Sequence, residues 1–474
     1  MRRDAGLLSL IYGPLFVLWA LTMPLFAAPD EQWHMVNAQG YAHGDVTNPF
    51  VTDGIPVDAG SCYQFMPSVS ADCMDLTWGI PGTEIVSRAT DYPPASHLIA
   101  AIPALFVDGL VGAYIMRVWT ALAAAGLFAW AGAVLLRAAP SRRLALTGLL
   151  LATTPMVAFM SGAVSPSGIT AASASLFAAG AVHIRATGAG RVGVAAVVTG
   201  LGLLVTSRRD GVLWAAVLMI AFAPMAWQPL IGSWRHLRHR TKAATVVGTV
   251  VIATVAGPRL IEYGVNFIRR HDINWSDARI EAKGSFAELS YIKDLIGRFG
   301  WLDTRLHSFH YIAAILMVLL FVMVACIGAH AVQRWAIGVS IVAIFVSPVI
   351  VGLFRSPYMQ GRYLFPVWCA ALMAAAVTAL PERLRRHVRY GVPILWGAWG
   401  GVHVLAWYVT LRRHAVGIGG PSTIWDWHAW EPKVVGLSGA AIAAVSVVIV
   451  GTIATARLAQ RTDQKPHLTA SNLS

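Results

Sequence analysis

GLLSLIYGPLFVLWALTMPLF (residues 6–26) runs through a two-alanine joint into PDEQWHMVNAQGYAHG (residues 29–44). The first stretch is long and apolar enough to cross a hydrocarbon core as a helix. The second places two adjacent acids, Asp30 and Glu31, where that span ends. The opening run follows only Met1, Arg2, Arg3 and Asp4. Its length and the charged sequence after it favour a retained first span with a basic cytoplasmic flank over a cleaved signal.

The remaining chain repeats the apolar theme. Of 474 residues, 57% are hydrophobic and 12% charged, against about 25% charged in a soluble domain. Apolar blocks of roughly 17–23 residues recur, the length of a spanning helix. They lie near residues 8–28, 112–136, 144–164, 168–186, 192–206, 211–230, 243–263, 308–328, 333–353, 363–381, 391–410 and 433–454. A shorter run follows Pro94 up to Val107. The expectation is an all-α polytopic membrane protein, with about twelve spans. Residues 1–454 read as one membrane-embedded domain, and 455–474 as a loose polar cytoplasmic tail. No P-loop or dinucleotide fingerprint occurs, and no short repeat.

Charge sets the topology. The net charge of +13 falls largely in short loops, notably WRHLRHRTK (234–242) and PERLRRHVRY (381–390), where it orients spans rather than binding nucleic acid. The loop 29–93 holds nine acids and a single base, Arg88. With the N-terminus inside, a full span at 95–107 would force the basic loops outside. A re-entrant or interfacial 95–107 keeps them inside. Two long loops, 29–93 and 264–307, then face outward, in a bacterial plasma membrane. Cys62 and Cys73 lie in the first, where a disulfide is chemically allowed.

Several polar groups gather on that outer side. Asp30, His34, Asn37 and Tyr41 would share a face of a short amphipathic helix after Pro29. A carboxylate there, beside His and Asn, suits proton abstraction from a sugar hydroxyl; the plainer alternative is that both acids open a loop and favour a helix N-terminus. TSRRDG (206–211) offers Arg208 and Arg209; FRSPYMQGRY (354–363) offers Arg355, Gln360, Arg362 and Tyr363. Guanidinium groups outside a membrane fit phosphate oxygens, or else reach for lipid headgroups. DYPPASH (91–97) supplies Tyr92 and His97, and GRFGWLDTRLHSFH (297–310) supplies Asp303. Pro155 and Pro166 in TTPMVAFMSGAVSPSG (153–168) break or end a span. The tryptophans of WDWHAWE (425–431) suit an interfacial belt or a sugar ring. No strong metal pattern is present. No dense carboxylate cluster demands a cation, yet Asp30 and Glu31 could hold a divalent cation with help from phosphate.

These pieces together resemble the bacterial domain-of-unknown-function family 2142, whose members are similar to the GT-C superfamily of membrane glycosyltransferases. The resemblance rests on PDEQWHMVNAQGYAHG (29–44), YPPASH (92–97), TPMVAFMSGAVSPSG (154–168), SRRDG (207–211), GWLDT (300–304) and QGRYLFP (360–366). It covers roughly residues 8–410. It implies a GT-C-like fold and a polyprenyl-phosphate sugar donor. It also implies a glycan or lipid-linked acceptor and chemistry on the extracytoplasmic face. The family acid near the end of the first span corresponds to Asp30, with Glu31 beside it. Two departures stand out: RLHS follows GWLDT where relatives tend to carry proline, and SPSG replaces an Asn-Pro-Asp-Gly-like run, leaving Ser167 at the acid's place. A transporter or flippase of lipid-linked sugars, or a non-catalytic envelope-assembly partner, uses similar arginines and broken helices.

Overall fold

A computed structural model describes residues 1–45, 50–52, 54–78, 84–234, 275–353 and 359–460, with isolated helical positions between 239 and 250. The expected span 243–263, Arg355 and most of the C-terminal tail lie outside the described residues.

Sixteen helices can be numbered in chain order among those residues. The first nine are α1 (Arg2–Thr22), α2 (Glu31–Ala42), α3 (Ala95–Ala104), α4 (Gly109–Ala138), α5 (Arg142–Ala152), α6 (Pro155–Ser161), α7 (Pro166–Thr187), α8 (Arg191–Ser207) and α9 (Gly211–Trp234). After them come α10 (Trp275–Glu288), α11 (Ser290–Gly297), α12 (Ser308–Gly328), α13 (Ala331–Leu353), α14 (Phe365–Ala375), α15 (Glu382–Val416) and α16 (Gly436–Gln460). Two small antiparallel hairpins lie in the two long loops: β1 (Phe50–Thr52) on β2 (Glu84–Val86), and β3 (Arg298–Phe299) on β4 (Thr304–Arg305).

The all-α polytopic class stands. Seven described helices are long and apolar enough to cross a membrane, or eight if the bent pair α5–α6 counts as one. Of the other expected blocks, 243–263 lies outside the described residues, and three effects account for the rest. The block at 144–164 is broken by 66° between Ala152 and Pro155. The block at 363–381 is only a single turn and the short α14, buried on every side. The helix α8, at 17 residues, and the apolar part of α9 fall short. Hydropathy registers burial in protein and burial in lipid alike, so core helices are counted with true spans.

At the centre lies α7, buried from Pro166 to Ile184. Its sequence explains this: alanine, serine and glycine let backbones approach. A side chain added at Gly200 on α8 would meet the Phe177 nitrogen at 2.5 Å and the Ser173 carbonyl at 2.6 Å. The serines satisfy themselves on their own helix, Ser173 on Ile169 and Ser175 on Ala171. Helices α1, α4, α8, α9 and α14 pack around or against this group.

The helix ends sort by charge. At one end Arg142 donates to Asp4 at 2.9 Å and to the Leu458 carbonyl at 3.0 Å, and Arg143 donates to the Arg389 carbonyl at 3.2 Å. Arg137 reaches Met1 there as well. At the other end lie α2, α3, the SRRDG turn and the QGRY turn. Because α4 starts near the end of α1 and finishes near its beginning, α3 starts and ends on one side. The short run after Pro94 therefore does not cross.

Candidate active site

The opening stretch folds in two steps. Helix α1 ends at Thr22, before Pro24. A tight turn follows, and Asp30 takes φ 66° and ψ 5°. Aspartate tolerates this left-handed conformation better than most residues. The turn points the Asp30 carboxylate away from the helix it precedes, so it caps no amide of α2. The carboxylate is 42% exposed and accepts from Arg362 Nη2 at 2.8 Å. Arg362 is nearly buried and also donates to the Pro29 carbonyl at 3.2 Å. Gly361 positions it. A side chain there would collide with α11, 2.2 Å from the Leu295 nitrogen, so only glycine lets the QGRY turn lie against that helix.

Asp30 opens into a cavity of about 470 Å³. Its walls include Trp33, Asp58, Gln64, Arg88, Tyr92 and Arg209. Arg209 lies over the Tyr92 ring at 4.8 Å and pairs with Asp91 at 3.0 Å. Arg208, behind it, is buried; it donates to Asp210 at 2.7 Å and to Ser167 Oγ at 2.8 Å, and lies 4.9 Å from the Tyr363 ring centre. Ser167 is thus an acceptor for arginine. Gln360 and Tyr363 are half-buried in the same turn as Arg362.

Beneath this floor lies a histidine pair. His34 Nδ1 and His97 Nε2 are 3.0 Å apart, both buried, and Tyr92 stands edge-on to His34 at 4.9 Å. Burial pushes His34 well below the ordinary imidazole value, and His97 and the arginines Arg362, Arg208 and Arg209 push it further. Burial likewise brings His97 down to about 4, opposed by a hydrogen bond with Pro93. Both rings are neutral at neutral pH. Asn37 donates to the Ala89 carbonyl at 2.7 Å, fastening α2 to the strand-bearing loop. Helix α2 is buried on nearly every side rather than amphipathic, with Trp33 its main half-exposed residue.

Two of the expected site acids are engaged elsewhere. Glu31 faces the interior and is fully buried. It accepts from Arg117 Nε at 2.7 Å and Nη2 at 2.5 Å, and from the Phe26 and Val164 amides at 3.0 Å each. Arg117, on α4, spends its other hydrogens on the carbonyls of Ala20, Met23 and Pro24. The pair stitches α4 and the α6–α7 joint to the turn after α1. It leaves Glu31 no lone pair for a cation shared with Asp30. Asp303 likewise lies outside the cavity. It accepts from Arg413 Nη2 at 2.7 Å and from Thr304 Oγ1 at 2.9 Å. Arg413 also donates to the carbonyls of Val69, Tyr63 and Met66, holding the first long loop to the end of α15. Cys62 and Cys73 are joined in a disulfide within that loop, their Cα atoms 6.1 Å apart. Among the described residues no cluster of three histidine, cysteine or acid side chains suits a metal ion.

Arg117 and Arg413 are the anchoring cations absent from the sequence reading. An arginine within an apolar span needs a buried partner, which marks Arg117. Arg88 was visible as the one base of an acidic loop.

The family model described as "Predicted membrane protein (DUF2142)" matches residues 14–373. No curated protein matches. Two solved structures of ArnT from Cupriavidus metallidurans are similar to this chain in fold. The one bound to undecaprenyl phosphate has 16% identity and a TM-score of 0.47, covering 93% of this chain and 75% of that one. The apo form has 15% identity and a TM-score of 0.44, with 93% and 74% coverage.

Proposed function

Since the chain belongs to the DUF2142 family of membrane proteins, we propose that it is a membrane glycosyltransferase. In this reading it moves a sugar from a polyprenyl-phosphate donor to a cell-envelope glycan, lipid or protein acceptor. The observation that carries the reading is the half-exposed Asp30, fixed by Arg362 at 2.8 Å, in a cavity that Arg209 also lines. The donor class comes from the resemblance of the motifs to GT-C enzymes and from the arginines gathered around one acid. The grouping of basic loops at the opposite helix ends supports an extracytoplasmic site.

The chemistry is a single displacement. The acceptor hydroxyl gives its proton to the Asp30 carboxylate as its oxygen bonds to the anomeric carbon. The bond from that carbon to the lipid phosphate oxygen breaks, and the electron pair leaves with the phosphate. Arg362, Arg209 and Arg208 offset the charge that develops. Attack opposite the leaving group inverts the anomeric centre. The neutral His34–His97 pair lies below as a rigid, uncharged floor, so the arginines meet no competing cation.

A transport or flipping role has less support. The broken helix α5–α6 is the feature that would serve it, but the carbonyls at the break are already used. Thr153 O accepts from Trp399 and His403, Leu151 O from Trp368, and Ala152 O from Cys369.

The test is turnover of polyprenyl-phosphate sugars by the purified protein, read as released lipid phosphate. Asp30→Asn should lower transfer by about 10²–10⁴-fold, the range for loss of a general base. Full activity in that variant would remove Asp30 from the mechanism.

A further inference from the structure

Four arginines border or support the cavity, and three of them already hold a carboxylate. Arg362 holds Asp30, Arg209 holds Asp91, and Arg208 holds Asp210 and Ser167. Arg88 differs. Its guanidinium lies over the Trp33 ring, 4.6 Å from the centre. Among the described residues it makes no ion pair and no side-chain hydrogen bond. Stacking by the flat face leaves the N–H edge free, and that edge matches a carboxylate or phosphate in two-pronged fashion. The aromatic ring costs Arg88 no donor and fixes its direction.

The rest of that wall is built for hydroxyl groups. Gln32 is 4% exposed and lines the cavity, and its Oε1 has no partner among the described residues. A buried amide oxygen without a donor is costly, and a ligand hydroxyl would satisfy it. Asp58, Ser61 and Gln64 line the same cavity. The disulfide at Cys62 and the Arg413 contact at Tyr63 hold this segment in place. Trp301, fixed by its indole donating to the Phe26 carbonyl at 2.9 Å, adds an apolar ring edge.

We infer that this cavity is the acceptor subsite and takes a saccharide bearing an acidic substituent, with Arg88 binding the acid and Gln32 a hydroxyl. The inference rests on the transferase reading for the word acceptor, but the binding preference stands or falls by itself. The anion has two sources, the acceptor saccharide or the donor's lipid phosphate, and the test separates them.

Full-length protein in detergent would be titrated with methyl glucuronide, methyl glucoside and a short-chain polyprenyl monophosphate, using saturation-transfer NMR for the sugars and calorimetry for the lipid. Glucuronide should bind about tenfold tighter than glucoside, the ratio expected for one charge-assisted hydrogen bond. Arg88→Gln should erase that preference and leave polyprenyl monophosphate binding unchanged, while Arg88→Lys should keep part of it. Equal binding of the two sugars by the wild type, or a preference that survives Arg88→Gln, overturns the inference. Loss of lipid-phosphate binding in Arg88→Gln overturns it too, by assigning the anion to the donor. Absence of sugar transfer in the separate turnover assay would sink the transferase reading and leave this preference measurable.

Discussion

Asp30 and Glu31 are neighbours in the chain and opposites in the fold. Asp30 sits in a left-handed turn, half in solvent, held at one oxygen by Arg362. Glu31 begins a helix, is sealed from solvent, and has both oxygens filled by Arg117 and two backbone amides. The same chemical group is therefore left open to a ligand in one case and given over to cohesion in the other. Exposure and unused lone pairs make the difference, and a buried carboxylate with four donors has neither.

The sharpest way to break this contrast is to change each acid separately and read two quantities. Asp30→Asn should cost transfer about 10²–10⁴-fold while leaving the melting temperature close to wild type, because asparagine also tolerates the left-handed turn. Glu31→Ala should do the reverse at the level of folding. It leaves Arg117 buried without its counter-charge, at about 3–5 kcal/mol, seen as poor yield of folded protein in detergent and early thermal unfolding. A Glu31→Ala protein that melts like wild type would dissolve the distinction. Severing the first outer loop is the next step down. Cys62→Ser with Cys73→Ser should cost about 2–3 kcal/mol for a loop this short, measured as a melting shift reproduced in wild type by reductant. The smallest effect is protonic. Above pH of about 6.5 the histidines are neutral whether folded or not. Below it the unfolded chain gains protons that buried His34 and His97 refuse, so stability falls as pH drops from about 6.5 toward 4. Melting curves at pH 7.5 and 5 should show this slope, and His34→Gln should flatten part of it.

How far the sequence spoke follows the same division. Charge bias in the loops was enough to place the ends of the helices and to keep the run after Pro94 on one side, because orientation depends on local Lys and Arg. Asp30 and the arginines of SRRDG and QGRY were legible as polar groups stranded at span ends. Adjacency grouped Glu31 with Asp30, whereas the fold turns it inward onto Arg117. Consecutive residues entering a helix point about 100° apart, and here the turn separates them further. The partners Arg117 and Arg413 could not be read, since nothing local says which carbonyls, some 90 to 350 positions away, an arginine will meet. The block at 363–381 read as a span for a related reason: α14 is apolar because protein surrounds it, and composition does not distinguish that from lipid.

Arg413 has a consequence for biogenesis. It binds the carbonyls of Tyr63, Met66 and Val69, which leave the ribosome first, and Val69 precedes it by 344 positions. At about 5–20 residues per second, that interval lasts roughly 17–70 s. Throughout it the early loop has its cystine and its bonds to α2 and the turn after α1, such as Asn37 to Ala89 and Tyr63 to Leu25, but not its final clasp. A nascent chain arrested before α15 would carry every side chain assigned to the reaction and still lack the fastening that shapes the chamber.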